Sequence, residues 1–160
     1  MTEEPLVQKG DLFADLQLSQ FLQIVLIGAL VGLLNYGLIN VLGTYVFKPV
    51  VCAGEGGVCG AANQYAVILA GLLTAAVALF GFVKLRVYRP LLVVIAATTS
   101  LWGLGILLLN LPWYTALGFS VVLYAMAYAL YAWVARIRLF WLAVIALVVL
   151  IVATRFILMR

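Results

Sequence analysis

The chain has 160 residues, 68% of them hydrophobic and only 9% charged, a balance that no water-soluble fold of this size can bury, so composition excludes a soluble globular domain and points to lipid as the solvent. A net charge of +4 would suit nucleic acid if the cations formed a patch, but they sit at the ends of apolar runs, as topology anchors and contacts to anionic headgroups do. One crossing of roughly 30 Å of hydrocarbon takes about 20 apolar residues, which predicts an all-α integral membrane protein, a bundle of about five transmembrane helices.

Residues 1–20 form the polar head, with Glu3, Glu4, Asp11 and Asp15 around Lys9. A cleavable signal would start basic and reach an earlier, shorter apolar core, so the expectation is a mature N-terminus. Within it Leu12 and Leu16 fall at helical spacing, which predicts a short amphipathic interfacial helix or, by composition, a disordered acidic tail. The remainder, 21–160, reads as one helical membrane domain.

The first predicted span covers about 21–47, longer than a straight crossing needs. Gly28, Gly32 and Asn35 share one side of it at helical spacing, a face for close helix packing with a polar group beside it, within the monomer or at a homodimer seam. The opening of this span, Phe21-Leu22-Gln23-Ile24-Val25-Leu26-Ile27-Gly28, resembles the opening helix of the small GtrA-type flippases. That resemblance implies movement of a lipid-linked substrate; it stops at the glycine-rich loop that follows and does not extend to the fifth span.

Pro49 is expected to end the first helix, and Val51 to Gly60 is too rich in glycine for a membrane helix and reads as a loop. It holds Cys52 and Cys59, the only cysteines. Flexible residues between them allow the α-carbon approach that a disulfide needs, in an oxidising compartment. Free thiols or a redox pair are the alternatives. A metal site lacks ligands, because the chain has no histidine and only Glu55 stands nearby.

The second span, about 65–83, is rich in Ala and Gly, and it leads into the cationic turn of Lys84, Arg86 and Arg89, after which Pro90 opens the third. The third, about 91–109, carries Thr98, Thr99 and Ser100 near its middle, hydroxyls able to bond back to carbonyls one turn earlier, and then Gly103 and Gly105, where a local bend is expected. The fourth, about 113–135, follows an uncharged turn at Pro112. It aligns Ser120, Tyr124, Tyr128 and Tyr131, which either line a polar route or pack ring against ring. Arg136 and Arg138 make a second cationic turn, and the fifth span, about 139–158, ends beside Arg155 and Arg160.

Placing Lys84, Arg86 and Arg89 in the cytoplasm puts the N-terminus, Arg136 and Arg138 there too, with the Cys52–Cys59 loop outside, in a multi-pass protein of the cell membrane. Six of the nine basic residues then lie inside, as the positive-inside rule asks; Arg155 and Arg160, sent outside by an odd number of spans, strain it. All five acidic residues lie in the head or the Cys loop and histidine is absent, so the spans hold no proton relay and no base to activate a nucleophile. Gly54-Glu55-Gly56-Gly57 lacks the lysine of a phosphate-binding loop. The expectation is a non-catalytic protein without cofactor, metal or nucleic-acid partner. It acts as a structural or assembly subunit of a membrane complex or homo-oligomer, or alternatively as a small transporter or flippase-like protein with a tyrosine-lined route through Asn35, or as a thiol-redox protein.

Overall fold

A chain in hydrocarbon must pair its own backbone groups, and an open sheet cannot do so. The computed structural model, which describes residues 18–52, 59–87, 89–108, 111–137 and 139–158, is all-helical over them, without strands. Helix α1 (Leu18–Val41) runs through a π-helical stretch, Leu42–Phe47, into α2 (Lys48–Val51). Then come α3 (Cys59–Lys84), α4 (Pro90–Ser100), α5 (Leu104–Leu108), α6 (Trp113–Val134) and α7 (Phe140–Leu158). Three helices are long and apolar enough to cross a membrane: Leu18–Val51, Ala61–Lys84 and Trp113–Val134. Pro90–Ser100 and Phe140–Thr154 are shorter apolar helices.

Three local expectations change. Pro49 does not end the first helix, which continues to Val51 as a rod of 34 residues. A proline ring ordinarily collides with the carbonyl four residues back, but here the Lys48 N–H bonds five back, to Gly43 O, and the widened π turns let the helix pass. Cys59 does not sit in a loop; it opens α3. The third span is not one helix, because α4 stops at Ser100 and the chain resumes as α5 at Leu104. Of the polar head, Leu18, Ser19 and Gln20 belong to α1, and the amphipathic segment before them lies outside the described residues.

The bundle is organised on α1, which lies mainly along α6 and next along α3. Hydrocarbon gives helices no hydrophobic reason to associate, so close packing and hydrogen bonds must do it. Gly28 and Gly32 supply the closeness: a Cβ at Gly28 would stand 2.9 Å from the Ala125 Cα, and one at Gly32 2.7 Å from the Ser120 carbonyl oxygen. The Ser120 hydroxyl donates to the Gly32 carbonyl at 2.9 Å. On α3 a buried stripe recurs every fourth residue, Ala62, Ala66, Ala70, Thr74, Ala78 and Phe82, and its last ring meets Tyr128 at 5.1 Å between centroids. Large apolar side chains face outwards instead: Leu22, Leu26 and Leu30 on α1, Phe80 on α3, Trp141 on α7. Lipid is their solvent.

Replacing Gly32 by alanine therefore forces two backbones apart, and Gly32→Ala is expected to cost about 1–3 kcal/mol. Gly37→Ala, on the same helix with nothing within 4 Å of the added carbon, should be neutral or gain up to about 1 kcal/mol. Unfolding of both variants in detergent micelles checks this; equal shifts would deny the close approach.

Candidate functional site: a broken helix between two small chambers and an apolar crevice

Helix α4 starts at the cationic end, where Arg86 and Arg89 both take left-handed backbone angles, φ 51° and 55°, to turn the chain sharply into Pro90. Its 11 residues rise about 16 Å, roughly half of the hydrocarbon thickness. At its end the sequence Thr98-Thr99-Ser100 loosens the ladder. Thr98 donates to Val94 O at 2.8 Å, Thr99 to Ile95 O at 2.7 Å and Ser100 to Ala97 O at 3.0 Å, so three successive hydroxyls compete for carbonyls one turn back. Gly103 then adopts φ 93°, open to glycine and hostile to other residues. The Leu104 N–H bonds Leu101 O at 3.0 Å and α5 begins.

Irregular backbone at membrane depth survives only where protein buries it or it borders a cavity. Here cavities border it on two sides. Beneath the break lies a chamber of about 70 Å³ whose lining includes Asn35, Thr98, Leu101, Gly103, Gly105 and Tyr124. Nearer the Trp113 end a second chamber of about 180 Å³ is lined by Tyr36, Asn40, Gly105, Trp113 and Ser120 among others. Gly105 borders both. Asn35 is buried and stands 3.4 Å from the Thr74 hydroxyl, whose shorter bond, 2.8 Å, goes to Ala70 O.

On the other side is an almost wholly apolar crevice of about 740 Å³. Helix α7 packs more on α4 than on α6, through buried Ala143 and Leu147, and so leaves room along α6. Leu101, Leu104, Leu123, Ala127, Tyr131 and Thr154 line this space, which extends past Met126 and Trp133 to Phe21 and Val25. Met126 and Trp133 are exposed on the outer surface, so it opens to the outside of the bundle. Leu101 borders both the crevice and the smaller chamber.

The residues singled out in the sequence fall on both sides of this joint. Gly28 and Gly32 are covered by α6, which leaves no room there for a second copy, and Asn35 reaches the chamber. Ser120, Tyr124, Tyr128 and Tyr131 are all buried; Ser120 borders one chamber, Tyr124 the other and Tyr131 the crevice. The hydroxyls of Tyr128 and Tyr131 have no hydrogen-bond partner among the described residues. Lys84, Arg86, Arg89 and Arg136 collect at one end. Arg136 Nη2 donates to Gln20 Oε1 at 3.3 Å and Arg89 Nη1 to Ile137 O at 3.4 Å, with the Arg89 guanidinium 5.0 Å from the Phe140 ring centroid. Arg138 lies outside the described residues. No described cysteine is free; the Cys52–Cys59 pairing rests on the Cys59 side chain, which is outside the described set. No group of three His, Cys, Asp or Glu able to hold a metal occurs among the described residues.

Sequence reasoning missed Thr74 as the neighbour of Asn35 and the meeting of the cavities at Leu101 and Gly105. The available signal was Thr98-Thr99-Ser100 followed by Trp102-Gly103-Leu104-Gly105. Comparison with family models, curated proteins and solved structures finds no match.

Gly103 is the residue that the break cannot exchange. Gly103→Ala is expected to lower stability by about 1 kcal/mol or more, since its angle strains any Cβ. Gly71→Ala, inside α3 with nothing within 4 Å, should not. Amide hydrogen exchange resolved to Leu101–Leu108 distinguishes the local effect from general unfolding; unchanged exchange there would show that the break does not depend on this glycine.

Proposed function

We propose that the chain is a non-catalytic, multi-pass protein of the cell membrane that binds an amphiphile at the joint of α4 and α5 and lets it move between leaflets, as a small flippase-type transporter does. One observation supports this reading: Leu101 borders both a large apolar crevice and a small mixed chamber whose lining includes Asn35 and Thr98, so an apolar tail and a polar group have adjoining places. In this arrangement α4 and α5 together make the third of five crossings and α7 the fifth. The N-terminus and the turns bearing Lys84, Arg86, Arg89, Arg136 and Arg138 face the cytoplasm. Cys52 and Cys59 form a bridge on the external side, holding the end of the first helix to the start of α3.

All five acidic residues lie outside the described residues, and the described lining of the chambers offers amide, hydroxyl and backbone groups without a carboxylate. Such a lining suits movement down a gradient, without proton coupling. The second reading, an assembly subunit or homo-oligomer, is favoured by α7: it leaves Trp141, Ile145, Val149 and Val152 exposed, an outer face that a neighbouring membrane helix would fit.

Liposomes holding the purified chain and a lipid with a fluorescent headgroup, read by an impermeant quencher, test the transport reading. Leu101→Trp fills the joint and is expected to slow exchange between leaflets about tenfold, a barrier change of about 1.4 kcal/mol, with little change in unfolding temperature. Equal rates in wild-type, variant and protein-free liposomes would remove the transport reading and leave the assembly reading, which native mass spectrometry of the detergent extract then judges by a defined oligomer or partner.

A further inference from the structure

Arg136 is a charge in an enclosed place. Only 8% of its surface is exposed, yet a guanidinium cannot shed its proton to suit its surroundings, and a buried cation is kept where a counter-charge offsets the loss of water. Its Nη2 donates to a neutral amide, Gln20 Oε1, at 3.3 Å. Arg89 stands at the same end, with Nη1 3.4 Å from Ile137 O and its guanidinium 5.0 Å from the Phe140 ring centroid. No described residue is acidic, so the negative charge for this end comes from an acidic side chain beyond them or from outside the chain.

Reach separates the five acidic residues. Glu55 lies four residues before Cys59, which opens α3. The 26 residues of α3 rise about 39 Å before Lys84 arrives at the cationic end, and four residues of chain span at most about 14 Å, so Glu55 belongs to the opposite end. Asp15 stands three residues before Leu18 and five before Gln20, no more than about 11 Å of chain from the first and about 18 Å from the second. Asp11 lies within about 25 Å of Leu18 by the same measure. A carboxylate on so short a tether has an effective concentration of about millimolar, and its two oxygens match the planar guanidinium fork. A lipid phosphate must bring its glycerol and chains to a side chain that is already enclosed.

We propose that the acidic head of this chain is the partner of its cationic end: Asp15 supplies the counter-charge to Arg136, with Asp11 next in reach for Arg89, and the pairing ties the start of α1 to the turn between α6 and α7. Phe21 follows Gln20, Trp133 lies three residues before Arg136, and both line the crevice, so the tie stands beside one end of it. This goes beyond the transport reading and does not depend on it.

Lys9 makes the head readable, because trypsin cleaves after it fastest when the segment is released from the fold. The full-length chain in neutral-detergent micelles is compared as wild type, Asp15→Asn, Arg136→Gln and the double variant. Each single substitution is expected to speed cleavage after Lys9 about fivefold and the double variant no further, as residues sharing one contact behave. Asp15→Glu, which keeps the charge, should keep the wild-type rate, and Glu4→Gln should leave it unchanged. Should Arg136→Gln not fold, faster cleavage in Asp15→Asn against the wild-type rate in Asp15→Glu and Glu4→Gln decides the matter alone. Cleavage indifferent to Asp15→Asn, or acceleration that adds in the double variant, would overturn the inference. A rise in unfolding temperature given by phosphatidylglycerol and not by phosphatidylcholine, abolished by Arg136→Gln and untouched by Asp15→Asn, would assign the cation to lipid and overturn it equally.

Discussion

The approach of α1 to α6 at Gly28 and Gly32 is the contact on which the other placements depend. Both helices are apolar on all sides, so lipid solvates either of them as well as the partner does, and only contact closer than lipid can make gives a net gain. Two glycines one turn apart let the α1 backbone meet that of α6 where a methyl group would collide with Ala125 Cα or Ser120 O. At that distance the Ser120 hydroxyl reaches the Gly32 carbonyl, an exposed backbone lone pair that a larger residue would screen. With α1 and α6 fixed, α3 closes over them by its every-fourth-residue stripe of small side chains, and Tyr128 and Phe82 fill the remaining gap.

Much of this was legible in the sequence because it is periodic. The hydropathy that marks lipid as solvent, the recurrence of Gly28, Gly32 and Asn35, and the spacing of Ser120, Tyr124, Tyr128 and Tyr131 are all one-dimensional records of a helix face. What periodicity cannot encode is which helix covers the face, and the tyrosine stripe and the glycine face are covered partly by each other. Local exceptions were less legible. Pro49 reads as a terminator unless the preceding turns are already wide, and a π turn has no sequence signature comparable to a cap or a glycine stop. The break after Ser100 was visible only as an expected bend, because Thr98, Thr99 and Ser100 loosen a helix without dictating whether it curves or stops; the positive φ at Gly103 decides for a stop.

The joint is polar without being charged. Asn35, Thr98 and Ser120 line the chambers with amide and hydroxyl groups, and Thr98 and Ser120 already spend their hydrogens on backbone carbonyls. Such a lining offers weak, replaceable bonds. A carboxylate or ammonium in the same place would hold a polar headgroup far more tightly in the low dielectric of the membrane, and would itself be costly to keep there.

The position of α7 follows from the same break. A third span that ran as one straight helix would offer a continuous ridge for α7 and α6 to close around together. α4 ends at Ser100 and α5 restarts after a turn, and α7, with Ala143 and Leu147 buried, packs more along α4 than along α6. The crevice and the smaller chamber meet at the interruption, with Leu101 belonging to both. Both cavities thus meet at one sequence feature, the hydroxyl-rich run Thr98-Thr99-Ser100 followed by a glycine in a conformation that other residues resist.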